Sequence, residues 1–243
     1  MFKPLFIFAL CAPLLAWADD TVPLPRVEVN AVRDSEWASY RHAYKTAAFF
    51  ATFTKSRPLI QAQMQIRPLS SEAPLDGLKL HLAGDTTSVD IDVDGIGRAN
   101  IPLSKVAYDE DAVLRLNRQK GQYYFSGRYS IKESADGVYT LADLRAACEQ
   151  LISAQRASGY RLRLIGKSCA GVKFSYPAGD SAANVEVRSE DGTLLPIGVS
   201  DGHPFEDNSM GTYKVAVLRF ADLPQQGSVL TRAKPLAIGT VYE

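Results

Sequence analysis

The sequence predicts a mainly β protein with two helices, an α+β chain built as two tandem helix-plus-β-sandwich-like modules. Three observations lead there. Apolar residues recur at helical spacing in only two stretches, near 37–53 and 141–152. Most segments from 60 to 242 instead alternate apolar and polar side chains, as half-buried strands do. The order helix then strands occurs twice, which is the mark of a repeated unit.

The first eighteen residues stand apart from that plan. Met1-Phe2-Lys3 gives a short cationic start, Leu5 to Leu15 an apolar run, and Ala16-Trp17-Ala18 the small-x-small pattern cut by a signal peptidase. Residues 1–18 therefore read as a signal peptide with cleavage near Ala18/Asp19. The run is too short to span a bilayer and contains Pro13. Cys11 lies inside it, after Leu10, where a lipid-anchoring cleavage requires a small residue before the cysteine. The expectation is a soluble protein exported to a bacterial periplasm, with no membrane span once the signal is removed. Residues 19–33 follow as an extended arm punctuated by prolines.

The first module covers 34–135. Asp34 is placed to cap a helix whose apolar positions Trp37, Tyr40, Tyr44, Ala47, Ala48 and Ala51 recur at three and four residues. Phe49, Phe50 and Phe53 widen that stripe, Lys55 and Arg57 complement the helix end, and Pro58 stops it. Strand-like alternation follows at 60–66, 78–82, 89–93, 101–103, 113–116 and 123–131.

The second module covers 136–243. Thr140-Leu141-Ala142-Asp143 has the form of a capping box, Leu141, Leu144, Cys148, Leu151 and Ile152 form an apolar stripe, and Gly159 closes the helix. Strands are expected at 160–165, 172–176, 185–187, 213–220 and 237–242. An internal duplication is also expected. Segments 78–82, Gly84-Asp85, 89–91 and Ile101-Pro102-Leu103 align at a nearly constant offset with 172–176, Gly179-Asp180, 185–187 and Leu195-Pro196-Ile197.

Composition narrows the function. The chain holds 27 Lys and Arg against 27 Asp and Glu, so no net excess points to nucleic acid or to an anionic membrane. Without the leader, only Cys148 and Cys169 remain. An even count in an oxidising compartment predicts a disulfide between them, in preference to two buried free thiols. It closes a loop of about twenty residues and contributes about 3 kcal/mol in the chain-entropy account.

Candidate chemistry is sparse. Asp90-Ile91-Asp92-Val93-Asp94-Gly95 begins like a calcium loop, but the twelfth position is Ile101 where a bidentate glutamate belongs. Val89, Ile91 and Val93 alternate with the acids, so a strand with one wet face is the reading preferred. The segment 201–208 gathers Asp201, His203, Glu206 and Asp207, the best local cluster for a metal or an acid-base pair. His42 and His81 stand alone on a helix and a strand. Gly166-Lys167-Ser168 resembles the end of a phosphate-binding loop but has Arg161 where the leading glycine belongs. With Ala170 in place of glycine, the same stretch also misses a serine-hydrolase elbow. No cofactor is implied.

Arg33-Asp34 ahead of a helix bearing Tyr40-Arg41, Leu78-Lys79-Leu80 with Gly84-Asp85, and Asp143-Leu144 leading to Cys148 together give a layout over most of the mature chain. That layout resembles a family of uncharacterised exported proteins of Gram-negative bacteria. The family has no established activity, so the resemblance implies an exported location and assigns no role to any residue. Function is thus expected to be that of a non-catalytic binding or cell-envelope accessory module with an envelope protein or glycan as partner. The alternative is a metal-dependent or hydrolytic periplasmic enzyme using the His203 loop.

Overall fold

Where each alternating segment finds a neighbouring strand decides the architecture. The computed structural model describes residues 34–70, 72–205 and 210–243, so the expected signal peptide and arm, together with Glu206 and Asp207, lie outside the described residues. The first half runs β1 (Ser35–Ser39), α1 (Tyr40–Thr54), β2 (Ile60–Pro68), β3 (Leu80–Ala83), β4 (Ser88–Ile91), β5 (Arg98–Ala99), α2 (Lys105–Asp109), β6 (Val113–Gln119) and β7 (Tyr123–Ile131). The second runs β8 (Val138–Thr140), α3 (Leu141–Gln155), β9 (Cys169–Tyr176), β10 (Val185–Arg188), β11 (Leu194–Ile197), β12 (Val199–Gly202), β13 (Tyr213–Arg219), β14 (Ser228–Thr231) and β15 (Ala237–Tyr242). The protein is mostly β, as expected, with one short helix, α2, beyond the two read from the sequence. Among the described residues no helix is long and apolar enough to cross a membrane.

The strands form antiparallel sheets. A seven-stranded sheet has the order β12-β13-β9-β15-β7-β2-β5, and two four-stranded sheets have the orders β1-β6-β3-β4 and β11-β10-β14-β8. The large sheet takes β2, β5 and β7 from the first half and the other four strands from the second. The halves meet where β15 pairs with β7, at Ile238 and Ile131. Segments 34–135 and 136–243 thus share a sheet.

Local chemistry explains most element boundaries. Thr140 Oγ1 accepts from the Asp143 backbone N–H at 2.9 Å, the hydroxyl arm of the expected capping box. After α3 a single π-helical turn carries the chain to Gly159, whose φ of 106° ends the run. Arg57 Nη1 donates to the Phe53 carbonyl at 2.7 Å and satisfies the last turn of α1.

The start of α1 differs from expectation. Asp34 has φ 55° and caps nothing; residues 35–39 extend along β6, and the helix begins at Tyr40. A ladder to β6 outcompetes the helical pattern there. Tyr160 to Ile165 also differs, for it is no strand: a 3₁₀ turn spans Arg161–Leu164 between Gly159 and Gly166, both at positive φ. Those glycines fold the segment back before it can line up along a sheet edge.

Three hydrophobic clusters form against the large sheet, a smaller one around Ile96, Phe205, Met210 and Tyr213 and two that include the helices. In one, α3 lays Leu144, Ala147, Cys148 and Leu151 against Val172, Phe174 and Ile238 of the sheet, joined by Val185, Val187 and Val229 of the β10-containing sheet. In the other, Tyr40 and Ala43 of α1 meet Ile66 together with Leu80, Leu82, Leu114 and Leu116. Each fully buried leucine contributes about 1.5–3 kcal/mol of transfer free energy. In both, helix residues join the side chains of the two sheets in one core. The aligned segments of the expected duplication also separate, since β3 belongs to a four-stranded sheet and β9 to the seven-stranded one.

Candidate functional site

The two faces of the large sheet differ because the strands alternate. Ile60, Ala62, Met64 and Ile66 of β2 face the helices, which leaves Gln61, Gln63, Gln65 and Arg67 on the opposite face. On β7 the alternation places Ser126, Arg128 and Ser130 beside them, and on β9 it places Lys173 and Ser175 there. β2, β7 and β9 thus share a polar stretch of that face, bordered by the apolar Val215, Tyr213 and Ala237, which pack with Ile96, Phe205 and Met210.

The seam between the halves is open. β7 pairs with β2 from Tyr123 to Ile131, and β15 pairs with β9 from Ala237 to Tyr242, yet β7 and β15 register at Ile131 and Ile238 alone. Beyond that point Ser126–Tyr129 and Thr240–Tyr242 diverge and a cleft of about 570 Å³ opens between them. Gln155, Tyr160, Arg163, Leu164 and Lys167, at the end of α3 and just beyond it, form its rim.

Five cationic side chains line this cleft, Arg67, Arg128, Arg163, Lys167 and Lys173, and no carboxylate is among the described residues lining it. Like charges around a concave surface with low-dielectric walls add to a positive potential that concentrates anions. The inner cations are held in place. Arg128 Nε donates to Gln65 Oε1 at 2.9 Å and its guanidinium lies 4.2 Å from the centre of the Phe205 ring. Lys173 Nζ donates to the Phe205 carbonyl at 3.0 Å, and the Arg67 guanidinium lies 5.2 Å from the Tyr124 ring centre. Tyr242 OH donates to Gln155 Oε1 at 2.6 Å. Thr240 is 7% exposed, and among the described residues its hydroxyl oxygen has no hydrogen-bond partner. A buried hydroxyl so placed costs free energy that a ligand's polar group can recover. Burial also pushes the Tyr129 hydroxyl pKa up, so it stays a neutral donor.

The rim is fixed at its base. Cys148 and Cys169 lie at disulfide distance, with Cα atoms 6.1 Å apart, and tie α3 to the first residue of β9. Between them lie residues 149–168, which include Tyr160, Arg163 and Lys167. Arg156 Nη2 donates to the Leu164 and Lys167 carbonyls. Ser168 and Glu243 exchange backbone hydrogen bonds of 2.9 and 3.2 Å.

The residues singled out in the sequence lie elsewhere. His203 is exposed, and its Nδ1 is 2.9 Å from the Gly211 carbonyl; since a carbonyl only accepts, Nδ1 carries the proton. Asp201 pairs with Lys214 Nζ at 2.7 Å. Among the described residues no three His, Cys, Asp or Glu side chains gather as metal ligands. In the calcium-like segment, Asp90 pairs with His81 Nδ1 at 2.7 Å, while Asp94 accepts from the Ile96 and Arg98 backbone N–H groups. That segment is a strand and turn, with its acids turned to different partners.

No family model, curated protein or solved structure matches this chain.

Sequence reasoning passed over the cleft because its cations are scattered from 67 to 173. The signal present was the polar second face of β2 and β7. Gln61, Gln63, Gln65 and Arg67 alternate as regularly as the apolar residues between them.

Proposed function

We propose that this chain is a non-catalytic binding module of the cell envelope, whose ligand is an extended polyanion of the acidic-glycan type held in the cleft between β7 and β15. One observation carries the reading: five cations and no carboxylate among the described residues lining a concave site, with the buried Thr240 hydroxyl unpartnered beside them. Phosphate, sulfate and carboxylate groups share the chemistry that such a site selects. The exposed Tyr160 ring offers an apolar face for a sugar ring at the rim.

The periplasm fits this reading. The leader at 1–18 has the layout of a signal peptide, and a cysteine pair at disulfide distance suits an oxidising compartment. The metal-dependent or hydrolytic alternative has thinner support, because Asp201 and His203 Nδ1 already have partners.

Internal duplication also belongs to the proposal, in a register other than the one that aligns β3 with β9. The order β1-β6-β3-β4 corresponds to β8-β14-β10-β11, and β7-β2-β5 corresponds to β15-β9-β13. Each series has a fifteen-residue helix directly after its first strand. On this reading the cleft lies at the seam between two related units.

Calorimetric titration with inorganic tripolyphosphate and with oligogalacturonate, against neutral maltooligosaccharide, tests the site. The expected result is binding of at least one anionic probe, none of the neutral one, and about tenfold weaker binding in Lys173→Gln, as loss of one charge-assisted hydrogen bond entails. Binding that Lys173→Gln and Thr240→Val leave unchanged, or no binding of either anion, rejects it.

A further inference from the structure

The segment that rims the cleft has an outer side with a different character. Leu162 is 83% exposed and Ile165 70%, the two highest values among the exposed large apolar side chains of the described residues. Tyr160 beside them is exposed as well. Exposed leucines scattered singly need no explanation, but here two aliphatic side chains and an aromatic one fall within six residues. The 3₁₀ turn Arg161–Leu164 sets their directions, for Leu164 is buried and anchors the segment while Leu162 points outward.

Charge accompanies the apolar tip. Residues 156–168 contain Arg156, Arg161, Arg163 and Lys167 and no acid. The Arg156 guanidinium is engaged with the Leu164 and Lys167 carbonyls; Arg161, Arg163 and Lys167 are exposed. The chain as a whole is balanced at 27 against 27 charges, so this is a local concentration that overall composition hides. The base of the segment is held by the cysteine pair, by Arg156 and by the Ser168–Glu243 backbone pair. The apolar tip is therefore displayed by a clamped scaffold.

We propose that residues 160–167 are an interfacial docking lip that seats the protein on the surface of an anionic phospholipid bilayer. Leu162 and Ile165 enter the boundary between headgroups and acyl chains, Tyr160 sits at headgroup level, and the three exposed cations meet lipid phosphates. A protein partner for the same tip requires a matching apolar pocket flanked by acids. A bilayer offers apolar depth beneath a layer of negative charge, which is the order in which the lip presents its groups. The lip lies on the surface and does not span. It goes beyond the cleft reading: the lip shares Tyr160, Arg163 and Lys167 with the cleft rim, but Leu162 and Ile165 belong to the lip alone and Lys173 to the cleft alone.

Co-sedimentation of the mature chain with vesicles of phosphatidylglycerol and phosphatidylethanolamine, against vesicles of phosphatidylcholine alone, tests the lip. Binding to the anionic vesicles is expected, weakening with added salt, with little binding to the neutral ones. Leu162→Asp/Ile165→Asp is expected to bind anionic vesicles about tenfold more weakly while melting at the parent temperature. Arg161→Glu/Arg163→Glu is expected to lose at least as much. Lys173→Gln, which tests the cleft floor, is expected to bind vesicles like the parent, so failure of either reading is seen separately. Absence of binding to anionic vesicles, or equal binding by Leu162→Asp/Ile165→Asp, overturns the lip.

Discussion

Arg98 Nε donates to Asp94 Oδ2 across 2.7 Å, while Asp94 Oδ1 accepts from the backbone N–H groups of Ile96 and Arg98. The same guanidinium donates to Ser130 Oγ and Glu133 Oε1, each at 3.0 Å, and to the Leu236 carbonyl just before β15. Arg98 is 5% exposed. One buried side chain from the first half thereby holds the approach to the last strand of the second.

Removing that guanidinium takes the cationic partner from Asp94 and Glu133 and a donor from the Leu236 carbonyl. Arg98→Met is expected to lower unfolding stability by about 3 kcal/mol, as breaking a buried pair does. Arg98→Lys should recover only part of the loss, since an ammonium lacks the planar fork that reaches several acceptors at once. Urea denaturation of the three proteins checks both statements, and a full recovery in the lysine variant rejects the forked role.

Phe50 on α1 rests against Gly127 on β7. A Cβ added at Gly127 falls 2.1 Å from Phe50 Cε2, too close for any real contact. Gly127→Ala is expected to cost about 1–3 kcal/mol by overpacking. Adding Phe50→Leu should relieve part of that cost, and a double-mutant cycle gives the coupling. Additive losses count against direct contact as the cause.

The cysteine pair is expected to act mostly on the segment it encloses. Reduction, or Cys148→Ala/Cys169→Ala, should lower stability by about 3 kcal/mol in the chain-entropy account. It should also speed trypsin cleavage at Arg161 and Arg163, with hydrogen exchange rising first in 156–168. Uniform loss of protection across the protein is the contrary outcome.

Alkali provides a separate test of core packing. Burial pushes the Tyr213 hydroxyl from the ordinary 10.0 up to about 12, and moves Tyr176, Tyr139 and Tyr129 in the same direction. A tyrosine whose folded pKa exceeds its unfolded value keeps its proton longer in the native state. Its contribution is therefore complete below pH 10 and is lost as pH rises through the folded value. Denaturant midpoints should hold steady up to about pH 10 and then fall, with an ultraviolet titration in which these hydroxyls ionise late or only on unfolding. Replacing Tyr213 by Phe should flatten part of that fall.

Much of the fold was legible because its signals are local. The alternation in β2, β7 and β15 places those strands within a residue or two, and Thr140 with Asp143 marks the start of α3. Segment 35–39 reads as helix because Trp37 falls at helical spacing from Tyr40 and Tyr44; the competing partner, β6, lies some eighty residues away and leaves no local trace. The short strands β5 and β8 were invisible for the same reason, since each only completes a sheet edge, and so was β14, whose two partners β10 and β8 are both distant in sequence. The cleft depended on a seam between two distant strands, so its cations had no common address in the sequence. The lip, by contrast, is contiguous. Its alternation resembled a strand, and two glycines at positive φ made it a projecting turn.

β15 is the last strand in chain order, and it occupies the middle of the large sheet between β9 and β7. A chain that emerges amino end first therefore exposes two unfinished sheet edges, one on β7 and one on β9, until Ala237–Tyr242 arrive. Neither half can finish folding ahead of the other, and closure waits on contacts of long sequence separation, which slow the search. During that interval the open edges are templates for pairing with another molecule, so the interval before Ala237–Tyr242 inserts is when this protein is most exposed to aggregation.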